Sequence, residues 1–248
     1  MKNKLINGRW NMIVPDSIAD WDGGTGNHAD RQGWEFCRFE SFDRHLRRGM
    51  RFLDVGVEHG WITAVLAKHY VGAEHMILVE PSPEFWTNIR LIWEHNELPM
   101  PEDIVPAFVA AEPYGDNEHF TSWPSWTDGA EECPAMAYRS LAHHAHEVPT
   151  TTIDRIARRA LGPIDAINID IEGAEMLAIQ GGLDTLLHDR PLVWISVHPD
   201  LMARDFGVER CEDLFDLMHS LGYGREYLGT DHEQHNAFFP LEYTGPAR

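Results

Sequence analysis

Basic residues are scarce. Twenty Lys and Arg stand against forty Asp and Glu in a chain of 248 residues, a formal charge of −20. A surface that acidic repels nucleic acid and anionic membrane, which argues against a polyanionic partner. Cysteine is rarer still: Cys37, Cys133 and Cys211 are odd in number and far apart. They fit neither a disulfide framework nor a zinc site, and they point to a reducing compartment. No run approaches the ~18 apolar residues of a membrane span, and the opening MKNKLINGRW has no apolar signal region. The expectation is a cytoplasmic protein without a membrane partner.

Apolar residues make up 43% of the chain, and no break in composition divides it. One large α/β domain over 1–248 is expected. Residues 1–50 read as an irregular lead-in, with a short strand at Trp10 to Val14 and a helix from Trp34 to Arg47 carried by Phe36, Phe39, Phe42 and Leu46. Asp20, Asp22 and Asp30 read as a polar turn, and His143, His144 and His146 as a solvated loop, so no metal ligand is assigned there.

The organising stretch is RFLDVGVEHG, Arg51 to Gly60, answered by HMILVEP, His75 to Pro81. Phe52, Leu53 and Val55 form a buried strand, and Gly56 and Gly60 bracket a turn in which a missing Cβ lets backbone approach a ligand. Ile62, Val65, Leu66 and Tyr70 then give an amphipathic helix ended by Gly72, and Met76 to Val79 a second strand. Glu80 closes that strand where an acid accepting hydrogen bonds from ribose hydroxyls should lie. A dinucleotide fingerprint wants G-x-G-x-x-G, whereas this pattern is D-x-G-x-x-x-G with Asp54 on the strand itself. An acid there meets a pyrophosphate badly but can take a hydrogen bond from a methionine-type ammonium, directly or through water. The spacing favours S-adenosylmethionine over NAD.

Further along, Ser82, Pro83 and Glu84 open a helix carrying Phe85, Ile89, Ile92 and Trp93. Ile104 to Ala110 reads as a third strand whose Pro106 demands an edge position, and the segment containing Ala111 then falls at the adenine end of the site. Residues 112–147, rich in Pro, His and Trp with strand-like pieces at His119 to Trp123 and Met136 to Ser140, suit a lid or acceptor-binding insertion, and equally a hairpin extension with no ligand. A helix is expected through Ile153, Ile156 and Leu161. In PIDAINIDIEGAEMLAIQGG, a strand of Ala166, Ile167 and Ile169 ends in Asp170, with Glu172, Gly173 and Glu175 in the turn beyond it. Pro191 to Val197 is another buried strand and delivers His198 to the same carboxyl edge, where α/β sheets bind ligands. A helix with Leu214, Leu217, Met218 and Leu221 and a strand pair, Tyr223 to Leu228 with Ala237 to Leu241, close the chain.

These blocks resemble the FkbM type of class I S-adenosylmethionine-dependent methyltransferases. The family's D-V-G-A-N-x-G is matched by Asp54, Val55, Gly56 and Gly60, its E-P-x-P by Glu80, Pro81 and Pro83, and its K-I-D-V-E-G-A-E by NIDIEGAE, Asn168 to Glu175. Thr152 and Asp154 fit its T-x-D. The resemblance covers roughly Leu53 to Pro199. It departs at Glu58, where the family has Asn, at Asn168, where it has Lys, and at Ser196, where an acid is usual. It implies a Rossmann-like, seven-stranded, mostly parallel sheet with helices on both faces, and a cofactor site at Asp54, Gly56, Gly60, Glu80, Pro81 and Ala111.

Such an enzyme aligns an acceptor oxygen with an activated methyl group, and a hydroxyl acceptor profits from a positioned base. Asp170 and His198 are the catalytic candidates, the latter as a base near its ordinary pKa of ~6.5. The expected acceptor is a hydroxyl on a small molecule or a glycan. Two other readings stay open: a metal-assisted enzyme using Asp170, Glu172 and His198, and a non-catalytic module that binds the cofactor. The oligomeric state is left open.

Overall fold

A computed structural model describes residues 1–20, 36–116, 119–133, 139–231 and 233–245. Asp22, Asp30 and the first part of the strand-like piece at 136–140 lie outside the described residues. The chain begins with a hairpin, β1 (Lys2–Ile6) and β2 (Trp10–Val14), turned through Asn7 and Gly8, both at positive φ. After the short α1 (Asp16–Ala19) and α2 (Phe36–His45), β3 (Phe52–Val55), α3 (Trp61–Leu66), β4 (Met76–Val79) and α4 (Phe85–His95) follow. Then come β5 (Asp103–Val105), β6 (Phe108–Val109), α5 (Leu141–His144), β7 (Thr150–Thr151) and α6 (Ile153–Ala157). The last part holds β8 (Ala166–Ile169), α7 (Glu175–Gln180), α8 (Leu183–His188), β9 (Leu192–Val197), α9 (Pro199–Phe206), α10 (Cys211–Ser220), β10 (Tyr223–Thr230) and β11 (Gln234–Pro240).

The central sheet has seven strands in the order β10-β11-β9-β8-β3-β4-β5. Strands β9, β8, β3, β4 and β5 pair parallel, and β11 runs antiparallel between β9 and β10. The expected seven-stranded, mostly parallel sheet is thus present. Because successive side chains on a strand point to opposite faces, each inner strand feeds two cores. Phe52, Met76, Leu78, Ala166 and Trp194 pack with α2, α3, α4 and the hairpin, while Leu53, Val55, Ile77, Ile167, Val193 and Ile195 pack with α6, α7, α8 and α10. Burial on both faces explains why these strands read as nearly continuous apolar runs.

Three elements differ from the sequence reading. The short strand expected at Trp10 to Val14 is present as β2, but the residues before it are not irregular, since β1 pairs with it in a packed hairpin: Trp10 lies 4.6 Å from the Phe39 ring, and the Asn96 amide exchanges hydrogen bonds with the backbone of Ile13 at 3.0 and 2.8 Å. The third strand is two strands, because Pro106 breaks the ladder; β5 stays at the sheet edge and β6 pairs with β7 instead. The helix aimed through Leu161 stops at Ala157, after a start capped by the Thr152 hydroxyl accepting from the Arg155 N–H at 3.1 Å, and Leu161 is 84% exposed.

Candidate functional site

The parity that builds the two cores also aligns a polar row. Asp54 on β3 lies opposite Asn168 on β8, Asn168 opposite Trp194 on β9, and Ser196 opposite His235 on β11. All of them share the face covered by α2, and that helix presents two polar side chains to it. Ser41 Oγ accepts from the Trp194 indole N–H at 3.0 Å, and one turn earlier the guanidinium of Arg38 is buried over the row. Arg38 Nη1 donates to Ser196 Oγ at 2.7 Å, lies 3.2 Å from Asp170 Oδ2 and 3.4 Å from Asn168 Oδ1. Asn168 donates in turn to Asp54 Oδ1 at 2.8 Å, and Thr63 of α3 donates to Asp54 Oδ2 at 2.7 Å. Positions 168 and 196, where the chain departs from the family pattern, are therefore spanned by one arginine from another element.

Asp54 is fully buried beneath this row, and burial pushes its carboxyl pKa up against the hydrogen bonds from Thr63 and Asn168. Gly56 and Gly60 have φ of 91° and 82°. The contact that requires glycine is with the protein itself: a Cβ at Gly56 would sit 1.8 Å from the Asp170 carbonyl oxygen, and one at Gly60 would sit 2.9 Å from Ile89 Cγ1. The missing Cβ at 56 thus brings the turn after β3 against the end of β8. Glu80 stands just past β4. Its Oε2 accepts from the Glu58 N–H at 2.9 Å and its Oε1 from the Ser82 N–H at 2.8 Å, with Glu58 at φ 52°. Burial pushes Glu80 up to about 7, although those N–H groups oppose it. Pro81 is half-buried beside it, and Ala111, also half-buried, follows β6 off the end of β5.

Around His198 the chain gathers four carboxylates. The imidazole Nδ1 hydrogen-bonds Glu175 Oε1 at 2.7 Å; Nε2 lies 3.8 Å from Asp170 Oδ1, 3.8 Å from Glu172 Oε2, and in direct contact with Glu233 Oε2. Burial alone would lower the imidazole pKa, but Glu175, Glu233 and Asp170 override it and push it up to about 12. In this arrangement His198 holds its proton at neutral pH, unlike the base near its ordinary pKa expected from sequence. Asp170 is shifted upward by burial and by Glu233, against Arg38 and His198, and Glu172 upward by burial. Asp170 and His198 are brought together as the strand ends required.

Sequence reasoning missed Arg38, Glu233 and His235. Arg38 sits among the aromatic residues that mark α2 as a core helix, and Glu233 and His235 lie in a turn and strand start with no motif. His235 donates or accepts at both ring nitrogens, toward Ser196 Oγ at 3.1 Å and Asp231 Oδ1 at 2.9 Å.

The methyltransferase FkbM domain matches residues 54–224, more than half of the chain and the whole span from Asp54 through β9 and α10. The chain belongs to the FkbM methyltransferase family. Its fold is similar to that of a methyltransferase FkbM from Methylobacillus flagellatus, at 14% identity and a TM-score of 0.51, over 82% of this chain and 51% of that one. The chain thus spans about half the length of that relative. It is also similar to a precorrin-6y C5,15-methyltransferase from Geobacter metallireducens (11% identity, TM-score 0.48, 87% and 93% of the two chains). An O-methyltransferase from Bacillus cereus gives 14%, 0.46, 82% and 79%. No curated protein matches the chain. In this FkbM domain, the Rossmann-like class I fold carries the Gly56–Gly60 turn, Glu80 and the Asp170–His198 cluster on one edge. No helix among the described residues is long and apolar enough to cross a membrane.

Proposed function

We propose that this protein transfers a methyl group from S-adenosylmethionine to a hydroxyl oxygen of a small molecule or a glycan. The observation that carries this reading is the Glu80 carboxylate. Each of its oxygens accepts a single backbone N–H, which leaves a lone pair on each for a ribose hydroxyl. Two such donors would relieve the burial that raises its pKa. Asp54, Gly56, Gly60, Pro81 and Ala111 complete the cofactor side, with the Asp54 carboxylate setting the charge beneath the turn.

S-adenosylmethionine supplies an electrophilic methyl group, so the chain's own work is alignment and proton removal. The acceptor oxygen bonds the methyl carbon as the carbon–sulfur bond breaks, and the hydroxyl proton passes to Asp170, whose side chain is 20% exposed. His198, fixed by Glu175, positions that carboxylate and the acceptor. The charge of −20 supports an acceptor that is not a polyanion.

Calorimetry with S-adenosylhomocysteine and with NAD tests the reading, and binding of the first without the second is expected. NAD binding without S-adenosylhomocysteine binding would overturn it. Because the ionised Glu80 is the form that accepts hydroxyl hydrogens, affinity should be flat above pH 7 and fall roughly tenfold per pH unit below it. Glu80→Gln should remove that pH dependence and weaken binding by about 1.5–3 kcal/mol, the range for hydrogen bonds to a charged group. Incubation with labelled S-adenosylmethionine and a cell extract, read by mass spectrometry, identifies the acceptor.

A further inference from the structure

We infer that Asp170, His198 and Glu233 form a binding site for a divalent cation of the Mg²⁺–Mn²⁺ class at the carboxyl ends of β8 and β9. One donor atom from each, a carboxylate oxygen or a ring nitrogen, lies within 4.8 Å of the others. An octahedral cation about 2.1 Å from its ligands places neighbouring donors about 3 Å apart and opposite ones about 4.2 Å apart, so only small side-chain adjustments are needed.

The state of His198 is the independent observation. Its side chain is 10% exposed, and Nε2, which touches Glu233 and faces Asp170 and Glu172 without a hydrogen bond of regular geometry, carries there the proton that a bound cation would displace. Nδ1 is engaged by Glu175 Oε1 at 2.7 Å, and the Glu175 side chain has no exposed surface. A carboxylate that holds one imidazole nitrogen and aims the other is the arrangement that supports metal-bound histidines. The local charge points the same way: Asp170, Glu172, Glu175 and Glu233 surround one imidazole, and Arg38 pairs with Asp170. Buried carboxylates at this density are expected to be paired or to coordinate metal. A second cluster, Asp231, Glu233 and His235, shares Glu233, but both ring nitrogens of His235 are already engaged.

One imidazole with two carboxylates suits Mn²⁺ or Mg²⁺ better than an all-oxygen Ca²⁺ site or a thiolate-rich Zn²⁺ site. Glu172, whose side chain is 52% exposed, stands at the solvent side of the cluster and marks the entry. Cation binding does not rest on the methyltransferase reading; its catalytic consequence does. A hydroxyl bound to the cation would lose its proton more readily.

The test is Mn²⁺ titration of the full chain, followed by electron paramagnetic resonance and calorimetry, with S-adenosylhomocysteine binding measured on the same samples. Saturable binding of one Mn²⁺ per chain is expected. Glu233→Gln should abolish it, Glu175→Gln should weaken it about 10–100-fold, and Glu172→Gln, which removes a nearby charge but no ligand, should change it far less. If Glu233→Gln does not fold, Asp170→Asn takes its place. Absence of saturable binding at millimolar Mn²⁺, or equal losses in Glu172→Gln and Glu233→Gln, would overturn the site. Retained S-adenosylhomocysteine binding with no Mn²⁺ binding removes the cation alone, and the reverse result removes the cofactor reading alone.

Discussion

Asp170→Asn should lower the turnover number by about 10²-fold or more, the usual contribution of a positioned base, while S-adenosylhomocysteine affinity stays within a few-fold of the original. Asp170 ends β8, its main chain sits against Gly56, and its two oxygens face Arg38 Nη1 at 3.2 Å and His198 Nε2 at 3.8 Å. Asparagine keeps the shape and the contact with the turn but cannot accept the acceptor's proton, so the loss should fall on kcat rather than on binding. Cofactor affinity and melting temperature measured beside the kinetics separate this from misfolding. Unchanged turnover of the Asp170→Asn enzyme on its true acceptor would remove Asp170 from the proton path.

Arg38→Leu should destabilise the protein by about 3–5 kcal/mol, the usual consequence of removing one partner of a buried ion pair. The guanidinium is 2% exposed and bridges Asn168, Asp170 and Ser196 across β8 and β9. Without it the Asp170 carboxylate keeps Glu233 as a neighbour and loses its nearest cation, so burial costs more. For a chain of this size, a loss of that order lowers the melting temperature by roughly 10 °C. Arg38→Leu combined with Asp170→Asn should be less destabilising than the two separate effects added, because the second change removes the charge that the first stranded. A calorimetric melting temperature for Arg38→Leu equal to that of the unaltered protein would show that the pair contributes nothing.

The sequence by itself determined the β3–α3–β4 unit, the edge position demanded by Pro106 and the delivery of Asp170 and His198 to one end of the sheet. Those features are local. A short apolar run, a glycine-spaced turn and an acid at a strand end are written within a dozen residues, and parallel pairing then brings separate strand ends to a common edge. Only the tertiary structure decided which side chains meet there. Arg38 looks like a misfit in the aromatic face of α2 until that helix is laid across β3, β8 and β9, where it spans the row that Asn168 and Ser196 leave without a charge. Glu233 and His235 carry no local signal because a turn residue and a strand start acquire their chemistry from β9, the strand beside them. The first arm of the hairpin at the start escaped for the same reason, although the second, Trp10 to Val14, was legible: β1, with Lys2, Asn3 and Lys4 more than half of its length, is stabilised by pairing with β2, whose buried side chains pack on α3 and α4. Periodicity reports which face of an element is buried, and long-range packing alone reports against what.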